Sequence, residues 1–243
     1  MRHLFLPGAD LEQLNLAIDG SDAHHLINVL RIRIGESLTL LDNAGHACLA
    51  EVSELGKKSV SVRIVQPVKP PPNPPIEITV AQALGKGDKF ETVIQHATEI
   101  GASAFIPLLT ERTVVKIDAQ DSDSKVSRWS LIAKGAAEQA GRARIPRIDT
   151  VSSLKDLGRR FSQFDKSLLL HPPEKESDVG LAQGAAGETV LILVGPEGGF
   201  SPAEVALAKS AGAVRTSLSP FTLRTETAAL VAVSQILHQA DRK

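Results

Sequence analysis

The chain of 243 residues has no tyrosine and only one tryptophan, one methionine and one cysteine. With 3% aromatic residues it lacks the rings from which stacking platforms for single-stranded nucleic acid are built. Any RNA it recognises would be read by folded shape instead. The lone Cys48 excludes a disulfide framework and a cysteine metal cage, and it suits a reducing compartment. No Asp/His/Cys cluster stands at metal-ligand spacing, so no metal is expected. No apolar run approaches the ~20 residues of a membrane span. Met1-Arg2-His3 leads into no signal-like apolar core, so a cytoplasmic location and no membrane partner are expected. Lys plus Arg number 27 against 28 Asp plus Glu, so there is no global basic field of the kind that marks many nucleic-acid binders.

Proline, by contrast, is concentrated. Six of the fourteen fall between Pro67 and Pro75, a stiff extended stretch unable to join a sheet interior. Before it, short alternating segments (37–41, 46–52 and 59–65) are separated by Asn43-Ala44-Gly45 and Gly56-Lys57-Lys58, the pattern of a small β domain. After it, apolar strand-like runs (76–83, 104–109, 167–170, 190–194 and 214–218) alternate with helical stretches (89–100, 127–139, 201–211 and 228–239). That alternation predicts an α/β domain. Two domains are expected, residues 1–71 and 72–243, with a polar loop over 118–124.

The richest segment is Val190 to Glu204. Val190-Leu-Ile-Leu-Val194 is the continuous apolar run of a strand buried on both faces, and it enters the turn Gly195-Pro196-Glu197-Gly198-Gly199. Ser201, Pro202 and Glu204 then form a helix start, with Ser as N-cap, Pro at the first helical position and Glu closing a capping box. Three glycines therefore stand where a strand's carboxyl end meets a helix, which is where open α/β sheets bind ligands. A plain strand-to-helix turn would show the same glycines. The spacing fits neither G-x-G-x-x-G nor G-x-x-x-x-G-K-[ST], and Gly85-Lys86-Gly87-Asp88-Lys89 lacks a Ser or Thr to hold magnesium. Glu197 inside the turn would oppose a pyrophosphate, which favours a neutral or cationic ligand.

About twenty residues later, Leu218-Ser219-Pro220-Phe221-Thr222-Leu223-Arg224-Thr225-Glu226-Thr227-Ala228 joins a short strand to an apolar helix, with Thr225 or Thr222 as its N-cap. Two strand-end loops this close in sequence converge if their strands are neighbours in one parallel sheet. Arg224 and Glu226 would then face a shared site, the alternative being a surface ion pair.

Val-Gly-Pro-Glu-Gly-Gly-Phe-Ser at 194–201 with Leu-Arg-Thr-Glu-Thr-Ala at 223–228 resembles the signature of the RsmE family, bacterial small-subunit ribosomal RNA uridine N3-methyltransferases of the SPOUT superfamily. The resemblance covers nearly the whole chain. Asp22 to Arg31 is similar to the family's N-terminal motif, and 98–102, Pro107, 111–113, Arg128-Trp129 and 136–142 resemble its central blocks in order. One departure is Ser219, where the family usually has Gly.

The resemblance implies a PUA-like β-barrel followed by a SPOUT α/β domain with a C-terminal trefoil knot, formed by the segments after Leu170, Gly195 and Leu218. It implies S-adenosylmethionine as cofactor, held by Leu170, Val194, Gly195, Pro196, Glu197, Gly198, Gly199, Leu218, Ser219, Leu223, Arg224, Thr225, Glu226 and Thr227. It also implies 16S ribosomal RNA, within the 30S subunit, as substrate, and a homodimer with the site at the subunit interface.

The residue inventory bears on the chemistry. Methylation at a pyrimidine C5 usually employs a cysteine nucleophile, and the only cysteine lies far from the proposed turns in sequence. An N3 target needs instead a cation beside the developing anion and a general base or bulk water to take the proton. Arg142 and Arg224 are the candidates for orienting the base, and Glu138 or Glu226 for taking the proton. Candidate phosphate contacts are Arg2, His24, Arg31, Arg33, Lys86, Lys89, Arg112, Arg142 and Arg144, with His25 and Arg147 nearby. A solvated charge cluster explains any single one of these patches as well. The rival reading is a non-catalytic RNA-binding or assembly protein, which would have no need of the cofactor turns. A SPOUT ribose 2′-O-methyltransferase is the enzyme alternative.

Overall fold

A computed structural model describes residues 2–115, 117, 119–172 and 188–240. The chain divides into two compact units, one of residues 1–73 with 137–145, the other of residues 74–136 with 146–243. A division at 71/72 gives all of 137–145 to the second domain. The structure returns that segment to the first unit, where Ala137 and Ile145 pack with Phe5, Leu41 and Ala47 and the Ile145 N–H donates to Asn43 Oδ1 at 2.7 Å.

The first unit is a five-stranded sheet of β1 (Arg2–Phe5), β2 (Asn15–Asp19), β3 (Ser37–Leu41), β4 (Ala47–Leu55) and β5 (Ser59–Val68), in the order β1-β3-β4-β5-β2. All pairs are antiparallel except β1 with β3. Alternate side chains, Leu38, Leu40, Cys48, Ala50, Val52, Val60 and Val62, form its core with Leu4, Ile18 and Leu26. Helix α1 (Gly20–His24) continues into a π-helical turn, His25–Val29. β5 runs as far as Val68 and so takes in Pro67, the first proline of the stretch expected not to join a sheet interior. Its partner β2 pairs only as far as Arg63, so Pro67 sits where that side of the strand has no ladder to donate to.

The second unit holds β6 (Glu77–Ala83), α2 (Lys89–Ile100), β7 (Ala104–Leu109), most of α3 (Ala119–Gln139), β8 (Arg147–Ile148), β9 (Ser152–Ser153) and α4 (Leu154–Gly158). β10 (Lys166–Leu170), β11 (Thr189–Val194), α5 (Pro202–Ser210), β12 (Val214–Thr216) and α6 (Thr225–Ala240) complete it. The strands are parallel in the order β12-β10-β11-β6-β7-β8, with β9 also paired to β7. Central β11 is buried along Val190–Val194 because both faces are covered. Leu191 and Leu193 pack with Leu154, Leu157 and Ala208 of α4 and α5, while α6 packs against β6 and β11. α2 joins α6 in that layer, burying Phe90, Val93, Ile94 and Ala97 at helical spacing.

Two local expectations change. Residues 119–124 are helical rather than loop, since α3 begins at Ala119; Asp118 lies outside the described residues. The stretch carries no apolar periodicity, yet Asp121 lies in the first turn, where a carboxylate complements the helix dipole. The Ser127 hydroxyl donates to the Asp123 carbonyl one turn back. Thr225 is the first helical residue of α6 rather than its cap: the Ala228 N–H donates to the Arg224 carbonyl at 2.8 Å, which puts Arg224 at the N-cap position. Of the knot-forming segments implied above, residues 173–187 lie outside the described residues.

Candidate functional site

β10, β11 and β12 end side by side, at Leu170, Val194 and Thr216, and a cavity of about 720 Å³ opens beyond their carboxyl ends. Its wall is built from the turn after β11, the loop after β12 and the first turn of α6. Such a volume is in the usual range for a small-molecule site, ~300–1,000 Å³.

The turn after β11 is tightly determined. The Gly199 N–H donates to the Pro196 carbonyl at 2.8 Å, and Gly199 has φ +68°, a conformation glycine adopts without strain. At Gly195 a Cβ would lie 3.2 Å from the Phe200 ring and 3.3 Å from the Gly199 carbonyl carbon, so any larger residue would have to push the ring or the turn aside by a few tenths of an ångström. Behind the turn the expected capping box is present: Ser201 Oγ accepts from the Glu204 N–H at 3.2 Å, and Glu204 Oε2 accepts from the Ser201 N–H at 2.8 Å. Glu204, 5% exposed, also accepts from the Glu111 N–H at 2.8 Å through Oε1. One buried carboxylate thus ties the segment after β7 to the turn after β11.

Charge around the turn differs from what the sequence implies. Glu197 accepts a hydrogen bond from Lys89 Nζ, and that bond is the main cause holding its carboxyl below the ordinary range. A paired Glu197 no longer argues by itself for a cationic ligand. Arg112 donates to the Gly198 carbonyl through its guanidinium. Lys89 and Arg112, both candidate RNA contacts, therefore line the cavity and bind groups of the turn.

The loop after β12 is held more lightly. Ser217 Oγ donates to the Ser219 carbonyl and Ser219 Oγ accepts from the Phe221 N–H, each at 3.1 Å. Ser219 is not among the residues with positive φ, so serine replaces the family's usual glycine without left-handed strain. Phe221 stands 77% exposed on the cavity wall. Thr225 Oγ1 donates to the Gly195 carbonyl at 2.6 Å and joins the two loops. Glu226 lines the cavity with one carboxylate oxygen, Oε2, buried and unpartnered.

Leu170, Val194, Gly195, Pro196, Glu197, Gly198, Gly199, Leu218, Ser219, Leu223, Arg224, Thr225 and Glu226 thus surround one space, while Thr227 is not among the lining residues. Of the candidate catalytic groups only Arg224 and Glu226 line it; Arg142 and Glu138 belong to the first unit. There Glu138 Oε1 accepts from the Phe5 N–H at 2.9 Å, which gives it a structural duty. Desolvation lowers the Arg142 guanidinium to about 10, still charged at neutral pH. Arg2 pairs with Glu36 at 2.7 Å, whereas His24, Arg31, Arg33, Lys86 and Arg144 are exposed, Arg31 with φ +50°.

Sequence reasoning passed over His171, Phe200, Ser217 and Thr222, which also line the cavity. His171 follows directly on β10, so the strand-end rule that selected Leu170 would have found it. Its N–H donates to the Thr216 carbonyl, and its ring Nδ1 lies 2.9 Å from an Arg215 guanidinium nitrogen.

Residues 72–237 match the family model for an RNA methyltransferase domain, and residues 18–65 that for an RNA methyltransferase PUA domain. The chain is 36% identical over 236 residues to the ribosomal RNA small subunit methyltransferase E of Bacillus subtilis, covering 95% of this chain and 92% of that one. It is 38% identical over 228 residues to the Mycobacterium bovis protein of the same name, covering 90% and 84%. Among solved structures, a methyltransferase from Legionella pneumophila in complex with S-adenosylmethionine superposes with a TM-score of 0.90 at 34% identity, over 98% of this chain and 97% of that one. The Neisseria gonorrhoeae ribosomal RNA small subunit methyltransferase E bound to S-adenosylmethionine gives 0.86 at 27% identity, over 99% and 98%. Matches of this extent embrace both units and every element that walls the cavity, and the chain belongs to the ribosomal RNA small subunit methyltransferase E family.

Proposed function

We propose that this protein is an S-adenosylmethionine-dependent methyltransferase acting on N3 of a uridine in 16S ribosomal RNA. The observation that carries the reading is the convergence of two strand-end loops on one cavity, in a chain whose relatives are small-subunit ribosomal RNA methyltransferases. The residues present suit the cofactor. The lining carries both signs, Lys89, Arg112 and Arg224 against Glu197 and Glu226, which fits a ligand with an amino-acid zwitterion and a sulfonium. The buried, unpartnered Glu226 Oε2 offers an acceptor or a counter-charge. Backbone groups of Gly195, Gly198, Leu218 and Leu223 would hold the adenine end.

When bound, S-adenosylmethionine supplies an electrophilic methyl group on a leaving sulfonium. The protein's own work is to place the uracil and manage its proton. Loss of the N3 proton leaves negative charge shared with the flanking carbonyl oxygens, and in this reading the Arg224 guanidinium, exposed and lining the cavity, stabilises it. Glu226 is the acceptor for that proton among the lining groups. Holding nucleophile and methyl carbon in line supplies much of the remaining rate.

Several finer features belong to the same reading. The first unit, residues 1–73 with 137–145, acts as a PUA-like barrel that binds RNA, through Arg31, Arg33 and His24, and the second, residues 74–136 with 146–243, as a SPOUT domain. A trefoil knot is supported by the path from β12, at the sheet edge beyond β10, back to α6 against β6 and β11. The protein works as a cytoplasmic homodimer on the 30S subunit, with Arg142 of the second copy completing the base site. Calorimetric titration with S-adenosylmethionine tests the foundation: saturable one-site binding is expected, and no heat of binding would remove the cofactor assignment.

A further inference from the structure

Gln82 is the penultimate residue of β6, in a strand otherwise apolar from Ile78 apart from Thr79, and it is 1% exposed. It is paired in register with Val194 of β11, the last residue before the Gly195 turn. Its side-chain nitrogen donates to Thr225 Oγ1 at 2.7 Å and to the Ala83 carbonyl at 3.2 Å. Its side-chain oxygen is buried with no hydrogen-bond partner.

The hydrogen directions in this chain follow from elementary chemistry. The Gly195 carbonyl can only accept, so the Thr225 hydroxyl must spend its single hydrogen there, at 2.6 Å. The hydroxyl is then only an acceptor toward Gln82, so the amide group facing it must be the NH2. Both NH2 hydrogens are committed, and the oxygen is left without a donor. A buried acceptor without a donor is destabilising. That cost is the counterpart of fixing the amide, and the amide fixes the Thr225 hydroxyl. The directed bond ends on the carbonyl of the glycine at the cavity wall.

We infer that Gln82 is a positioning residue for the cofactor site, acting through Thr225 to hold the Gly195 carbonyl and the strand-end turn in the geometry that binds the ligand. This rests on the S-adenosylmethionine reading of the cavity. Gln82 does not line the cavity itself, so its effect passes through Thr225 and Gly195. Because it positions rather than reacts, its loss should raise the KM for S-adenosylmethionine and leave kcat at saturation nearly unchanged.

The test measures S-adenosylmethionine affinity by calorimetry and steady-state kinetics for wild type, Gln82→Met, Gln82→Glu, Thr225→Ala and Thr225→Ser, with thermal unfolding of each. Gln82→Met keeps the shape and removes the donors; binding about tenfold weaker is expected, the effect of one net hydrogen bond. Gln82→Glu at this buried position tests the donor itself: the protonated acid can still donate one hydrogen to Thr225 Oγ1, so its affinity should fall as pH rises and the carboxyl ionises. Thr225→Ser should recover most of the affinity lost in Thr225→Ala, and Gln82→Met should cost little further in the Thr225→Ala background. Wild-type affinity in folded Gln82→Met overturns the inference. Should Gln82→Met fail to fold, equal affinity of Thr225→Ser and Thr225→Ala overturns it equally. Absence of binding by the wild type would instead overturn the cofactor reading on which the inference stands.

Discussion

The β3–β4 hairpin of the first unit and the turn after β11 of the second solve the same problem with opposite means. In the hairpin, Asp42 Oδ1 accepts from the N–H groups of Ala44, Gly45 and His46 at 2.7 to 3.0 Å, so partners within four residues satisfy one another. In the turn after β11 the groups are held by residues far away in sequence: Lys89 on Glu197, Arg112 on Gly198, Thr225 on Gly195 and Glu204 on Glu111. The hairpin is a local device. The turn is assembled only when the parallel sheet brings four strand ends together, and it retains the unpartnered oxygens of Gln82 and Glu226 beside the cavity. Glu226 lines the cavity and its free oxygen is available to a ligand there, whereas Asp42 Oδ1 is spent on its own turn.

Substitutions ranked by size can break or sharpen this contrast. Gly195→Val should act most strongly on cofactor binding, because its Cβ meets the Phe200 ring and the Gly199 backbone; loss of measurable S-adenosylmethionine binding and ~1–3 kcal/mol of destabilisation are expected, read by calorimetry and urea unfolding. Glu204→Ala strips two backbone N–H groups of a buried carboxylate and should lower stability by about 3 kcal/mol, with cofactor affinity falling as the turn loosens.

Asp42 supplies the pH-dependent case. Desolvation opposes ionisation there, but the hydrogen bonds from His46 and Ala44 outweigh it and bring the carboxyl from 3.8 to about 2. A depressed folded value means stability present above pH 3.8 and lost as pH falls toward 2, about 2 kcal/mol in all. Denaturant midpoints at pH 5 and pH 2 should differ by less in Asp42→Asn than in wild type, and an equal difference would dismiss the local account. Ser219→Gly should do least: it deletes one exposed hydrogen bond and relieves no strain, so stability should change by no more than ~1 kcal/mol and cofactor affinity by less than about twofold.

The contrast also explains what the sequence made legible. Segments 37–41, 89–100 and 104–109 were readable to the residue because local periodicity decides them, and the Ser201 capping box because its spacing is local. The first turns of α3 were not, since that stretch has no apolar periodicity to read. Within the site, glycines and strand ends pointed to the cavity. The pairing of Lys89 with Glu197, the bond that the Glu111 N–H donates to Glu204 and the relay from Gln82 to Gly195 span 30 to 143 residues and leave no local signature. A glutamine in an apolar strand was the one visible hint of that relay. Arg142 and Glu138 were selected for the residue types an N3 target needs within a family-like block, and the structure places them in the first unit.

The measurement that tests the central claim most directly is transfer of labelled methyl from S-adenosylmethionine to small ribosomal subunits from cells lacking their own enzyme, followed by nucleoside analysis. The account predicts label in 3-methyluridine from 16S RNA. Label on a ribose 2′-oxygen, or no label from a protein that binds the cofactor when whole and salt-washed subunits and naked 16S RNA are all supplied, would contradict it.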